Sequence, residues 1–157
     1  MPIRPHVIAA VCVAFLAGPV LAGEVRGPVE VIDGSTMLVA GETVRLADIV
    51  VPQIGSQCVW RGKPLDCGVL ARAGLKDITA GADVVCIPVG ANAHRCKDGN
   101  FDLAFGLIHA GWAVPVSDAP GHYHKKMLDA KEHKRALWSA YGVKGLELIA
   151  DELRSKL

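Results

Sequence analysis

Residues 31–53, VIDGSTMLVAGETVRLADIVVPQ, leave few folds open. Apolar residues over 29–32 read as a strand. Asp33, Gly34 and Ser35 then supply turn chemistry: Gly34 tolerates positive φ, and the Asp33 and Ser35 side chains can bond nearby backbone. A second short strand is expected over 37–39, a turn at Gly41 and Glu42, and a third strand over 43–51. Pro52 ends it, because it has no N–H to give a sheet ladder. Three short strands on two tight turns suggest a small curled antiparallel sheet or barrel.

The N-terminus has a different character. Arg4 supplies positive charge, residues 7–16 are apolar, and Val20-Leu21-Ala22 is a small-residue cleavage signature. Residues 1–22 are therefore expected to be a signal peptide, with the mature chain starting at Gly23 in the periplasm or outside the cell. A retained anchor is the alternative, but the apolar run is short for a membrane span and is followed by Pro19. Cys12 lies in this run without a lipobox leucine three residues before it. Removing the leader takes away Arg4 and no acid, so 17 basic residues become 16 against 16 acidic. A net charge near zero argues against a generic nucleic-acid binder, which usually carries a basic face.

Four cysteines remain, Cys58, Cys67, Cys86 and Cys96. An even count behind an export signal reads as a disulfide framework. Three pairings are open. Local spacing favours Cys58 with Cys67, stapling a loop to the following helix, and Cys86 with Cys96, tying two strands of a hairpin. A zinc site is the competing reading, but C-x8-C and C-x9-C are not the spacings of common zinc knuckles.

A polar loop is expected over 54–63. Cys67, Leu70, Ala71, Gly74, Leu75 and Ile78 then mark one face of a helix over 65–79, with Arg72, Lys76 and Asp77 outside it. Asp66 suits its N-terminus and Gly81 lies just past its end. A buried strand over 83–89 and a returning strand over 93–96 follow. Leu103, Gly106, Leu107 and Ala110 mark a short helix over 102–110, closed by Gly111. One more extended piece covers 112–115. A charged helix is expected over 123–138, burying Met127, Ala130 and Leu137. Residues 142–157 carry Leu146, Ile149, Ala150, Leu153 and Leu157 at helical spacing, a C-terminal amphipathic helix packed on or extending the domain. Periodicity alone stops at a disulfide-stapled α+β domain.

Several ordered motifs resemble the staphylococcal-nuclease-like (thermonuclease) domain family. Val31-Ile32-Asp33-Gly34-Ser35-Thr36 resembles its V-x-D-G-D-T. Arg45-Leu46-Ala47-Asp48-Ile49-Val50-Val51-Pro52-Gln53 resembles its R-L-x-G-I-D-A-P-E. Asp102-Leu103 through Leu107 to Gly111-Trp112-Ala113 resembles D-L-x-x-x-L-x-x-x-G-W-A. Tyr123, Ala130-Lys131 and Ala136-Leu137-Trp138 resemble its later elements. Secreted bacterial members often carry cysteine pairs like Cys58 with Cys67-Gly68, and Cys86 with Cys96. The resemblance spans roughly residues 29–138. It implies an OB-fold five-stranded β-barrel with added helices over residues 23–141.

The family's chemistry is Ca-dependent phosphodiester hydrolysis. Carboxylates hold the cation, a glutamate is the candidate general base, and two arginines neutralise the phosphate. Carried onto this chain, the calcium carboxylates become Ser35 and Val50, the glutamate becomes Gln53, and the second arginine becomes Ala91. Only Arg45 keeps its catalytic position, with Asp33 as an outer carboxylate. Losing one well-placed group costs about 10²–10³ in rate, and here four are changed together.

The resemblance therefore implies an exported, non-catalytic nuclease-like protein, a monomer with no metal or other cofactor. Its partner would be an anionic oligomer (oligonucleotide or polysaccharide) or an envelope protein. An exopolysaccharide role is the analogy that some relatives suggest. The alternative is a secreted, metal-dependent phosphodiesterase with a displaced site at Asp33, Arg45, Asp48 and Arg95, using Ca²⁺ as cofactor. In that reading Asp48 would share a strand face with Val50, about 7 Å away, and His94 or Arg95 would replace the lost arginine's charge. Arg45 could instead be structural. Two further features have bland alternatives. His122, His124 and His133 could bind a transition metal or be solvated. Lys125, Lys126, Lys131, Lys134 and Arg135 could dock an anionic polymer or be a solvated face. Trp60, Trp112 and Trp138 are too dispersed for a stacking platform.

Overall fold

The computed structural model describes residues 23–60 and 63–139. The expected signal peptide and C-terminal amphipathic helix lie outside the described residues. Among the described residues the architecture is mixed α+β and largely antiparallel. Its strands are β1 (Val25–Val31), β2 (Thr36–Val39), β3 (Glu42–Arg45), β4 (Ile49–Val50), β5 (Gln57–Trp60), β6 (Lys63–Asp66), β7 (Asp83–Gly90), β8 (Ala93–Asp98), β9 (Phe101–Asp102) and β10 (Val114–Pro115). Its helices are α1 (Cys67–Ile78), α2 (Leu103–Ala110) and α3 (Gly121–Glu132), with a 3-10 turn at Ala136–Trp138. None of these helices is long and apolar enough to cross a membrane.

Six strands form one antiparallel sheet in the order β3-β2-β1-β7-β8-β9, and β4 with β10 and β5 with β6 form separate pairs. The pairing Val29↔Val39, Val31↔Met37 and Met37↔Val44 places inward residues opposite one another. Strand pairing does not close this sheet. One parallel bridge, Leu46 to His94, reaches from just past β3 to β8.

The core follows from period-two alternation in the strands and the apolar faces of α1 and α2. Met37, Val39 and Val44 meet Ala71 and Leu75 of α1 and Leu103, Leu107 and Ile108 of α2 in one buried cluster. Each full burial of such a side chain stabilises by roughly 1.5–3 kcal/mol. Gly34 sits on α1: a Cβ there would lie 2.9 Å from the Ala71 methyl. A second cluster gathers Cys58, Cys67, Val114, Ala130, Leu137 and Trp138. Both favoured disulfides form, Cys58–Cys67 and Cys86–Cys96. The first joins β5 to the start of α1. The second joins directly paired residues of β7 and β8.

Four expectations change. The loop over 54–63 instead contains β5 and, with residues 63–66, makes the β5–β6 pair. The single strand over 43–51 is broken: Ala47 N–H bonds the His94 carbonyl at 2.9 Å, and Asp48 turns to φ 66° before β4 begins. The strand over 83–89 is buried only at Val84 and Cys86, while Ile87 and Val89 are exposed, because β1 leaves β7 at the Val25↔Cys86 pair. The helix over 123–138 stops at Glu132, and Lys134 (φ 50°) and Ala136 (φ 39°) redirect the chain.

Candidate functional site

The residues singled out for chemistry come from three adjoining segments. The loop after β1 carries Asp33 and Ser35. The stretch after β3 carries Asp48, and β8 carries His94 and Arg95. Backbone bonds hold them side by side: Leu46 N–H donates to the Ser35 carbonyl at 2.8 Å, and Ala47 N–H to the His94 carbonyl at 2.9 Å. Thr36 pairs with Arg45 across β2 and β3.

Within this seam the acids are already engaged. The Asp33 Oδ1 accepts from the Ser35 N–H (2.8 Å), the Thr36 N–H (2.8 Å) and the Ser35 hydroxyl (3.3 Å). It therefore shapes the turn, as an Asx motif does. Asp48 accepts a 2.8 Å bond from Arg95 Nε. That bond holds the Arg95 guanidinium above its ordinary range. Asp48 also lies outside β4 with positive φ, so it does not share a strand face with Val50 as expected. Arg45 is exposed, and its side chain makes no hydrogen bond or ion pair among the described residues.

The substituted positions are equally definite. Ser35 is buried at 6% exposure, and Val50 is buried and paired with Val114 of β10. Gln53 is exposed, and its carbonyl accepts from the Ser56 N–H at 2.9 Å. Ala91 lies in the exposed turn between β7 and β8. Among the described residues no group of three or more His, Cys, Asp or Glu side chains is placed to hold a metal ion. His122 stacks edge-on to Tyr123 at 4.8 Å between ring centroids, and His133 Nδ1 lies 2.8 Å from the Asp129 carbonyl.

One residue behind the seam carries more structure than its sequence suggested. Tyr123 is buried, and its hydroxyl donates to Asp102 Oδ2 at 2.8 Å. Burial, then this bond, pushes the phenol far above its usual range. The other Asp102 oxygen caps α2 through the Phe105 N–H at 3.0 Å. Asp102 thus fixes α3 against the start of α2, beside the Asp48–Arg95 pair. An N-cap aspartate before an apolar helix was the available signal.

The basic face of α3 is partly self-neutralised. Asp129 accepts from Arg135 (2.7 Å) and Lys126 (3.3 Å). Arg135 foremost holds its carboxyl at about 2, below the ordinary 3.8. A depressed carboxylate pKa stabilises the fold above the unfolded value and loses that contribution as pH falls through the folded one. The Asp129→Asn variant should therefore be less stable than wild type above pH 3.8, with the difference shrinking towards about 2. Urea midpoints measured across that window test this; a difference independent of pH would contradict it.

Among known proteins, no family model matches this chain and no curated protein is detectably similar to it.

Proposed function

We propose that the chain is an exported, non-catalytic OB-fold protein of the nuclease-like kind, binding an anionic oligomer along the seam between β3 and β8. The observation that carries this reading is the seam itself. A sheet ordered β3-β2-β1-β7-β8, with one parallel bridge from Leu46 to His94 between its two flanks, supports an OB-type reading, although strand pairing leaves the sheet open. OB barrels bind oligomers on an open face, and Arg45 and Arg95 are exposed at that seam.

The non-catalytic half rests on the side chains. Ser35, Val50 and Gln53 supply no carboxylate, Asp33 commits its Oδ1 to its own turn, and Asp48 is paired with Arg95. A hard divalent cation needs several oxygen ligands, preferably anionic. Residues 1–22 would direct export, and two disulfides fit an oxidising compartment.

Anisotropy of a labelled single-stranded oligonucleotide and of a labelled uronate oligomer tests the reading. Binding to at least one should weaken with salt. Arg45→Ala should lower the oligonucleotide's log–log salt slope by about 0.7, the share of one phosphate contact on a single strand. Binding to neither oligomer, or binding indifferent to Arg45→Ala, would overturn it.

A further inference from the structure

A groove of about 420 Å³ runs between β1 and the C-terminal half of α1. It shares no residue with the seam and does not rest on the function proposed above. Arg72 and Lys76, one helical turn apart, line one wall; Val29 and Glu30 line the other; Thr79 and Gly81 close the end. Arg72 Nε is buried and has no hydrogen-bond partner among the described residues. Among the described residues no side chain of Arg72, Lys76 or Glu30 makes a hydrogen bond or ion pair. A buried guanidinium donor left unmet is costly, and the groove beside it is lined by charged side chains that nothing among the described residues pairs.

The charges around the groove define the acceptor it suits. Arg72 and Lys76 contribute two positive charges. Glu30 contributes one negative, and the C-terminal end of α1 adds a partial negative. The surplus is about half a positive charge, too little for a phosphate dianion beside Glu30. A carboxylate matches it and fits the planar fork of a guanidinium. Glu30 requires donors from the same ligand, which neighbouring hydroxyls supply. Val29 offers an apolar surface for a ring face. The volume falls in the range of small-molecule sites.

We propose that this groove binds a ligand bearing one carboxylate and adjacent hydroxyls, the chemistry of a sugar acid. Arg72 and Lys76 take the carboxylate and Glu30 accepts from the hydroxyls.

Titration of the oxidised mature protein, followed by NMR, tests it. The probes are D-glucuronate, glucose, inorganic phosphate and a glucuronate tetrasaccharide. Glucuronate should shift the Arg72 Nε–H resonance and the amides of residues 29–31 and 79–81. Glucose and phosphate should bind at least about tenfold more weakly. Lys76→Gln, at an exposed position that should not disturb folding, should weaken glucuronate about tenfold, the scale of a charge-assisted hydrogen bond. Arg72→Gln should do so at least as strongly. Tighter binding of the tetrasaccharide would assign a polymer as the source, and equal binding a free sugar acid; either supports the site. Phosphate binding as well as glucuronate, no shift at Arg72, or an unchanged affinity in Lys76→Gln would overturn it.

Discussion

The double variant Cys86→Ser, Cys96→Ser is expected to lose at least about 4 kcal/mol of stability and to be largely unfolded at 37 °C. Two effects add. The disulfide closes a loop with a sequence separation of 10, and the chain-entropy estimate for so short a loop is about 2.5–3 kcal/mol. The two positions are also the most enclosed cysteines among the described residues, 0% and 1% exposed. Serine hydroxyls there lose water, at about 1–3 kcal/mol each if unpaired. The sum approaches the entire stability of a typical domain, about 5–15 kcal/mol. Breaking Cys58–Cys67, at the edge of the second cluster, should cost only about 2–3 kcal/mol. Urea unfolding by far-UV circular dichroism measures both. A loss below about 1.5 kcal/mol for the Cys86 and Cys96 pair would mean that strand pairing alone holds this hairpin.

The second large effect is expected at Gly68, where helix propensity and packing oppose each other. Alanine is favoured over glycine in a helix by about 1 kcal/mol. At this position, however, a Cβ would run into the Gln53 carbonyl and the Ile54 nitrogen. Those are main-chain atoms and cannot rotate aside. The same corner holds the Asp66 carboxylate, which bonds the N–H groups of Gly55, Gly68 and Val69 and is held below its ordinary range, Val69 contributing most. Overpacking costs about 1–3 kcal/mol and occasionally more, so packing wins. Gly68→Ala should lose about 2–3 kcal/mol. Gly90→Ala, where an added Cβ meets nothing, should stay within about 0.5 kcal/mol. A stabilised Gly68→Ala protein would show that α1 does not start against the chain at Gln53.

How much of this was legible depended on whether the deciding contact was local. The N-cap of α1 and the C-cap of α2 were: Asp66 precedes the first and Gly111 ends the second, each acting within a few residues, whereas Asp102 was read as part of α2 and caps it instead. The cysteine pairing was legible because both bridges close short loops. The break between β3 and β4 was not. TVRLADIVV reads as one strand, and only the distant His94 carbonyl draws Ala47 away. The Asp48–Arg95 bond spans 47 positions. Sequence offered both residues as binding groups without showing that the fold spends one on the other. The end of α3 was hidden because Lys134 and Ala136, rather than glycines, take the left-handed turns. The Arg72 groove was hidden because Arg72 and Lys76 lay outside the apolar face of α1, where charged residues normally meet only water.

The most direct test of the central claim, a nuclease-like seam that binds but does not cut, is hydrolysis of single-stranded DNA and RNA by the purified, oxidised mature chain. The assay runs with Ca²⁺, with other divalent ions and with chelator. Beside it runs the variant Ser35→Asp, Val50→Asp, Gln53→Glu, Ala91→Arg, its folding checked because Val50 is buried. The account predicts no metal-dependent cleavage by wild type and its appearance in the folded variant. Metal-dependent cleavage by wild type, abolished by Arg45→Ala, would contradict it.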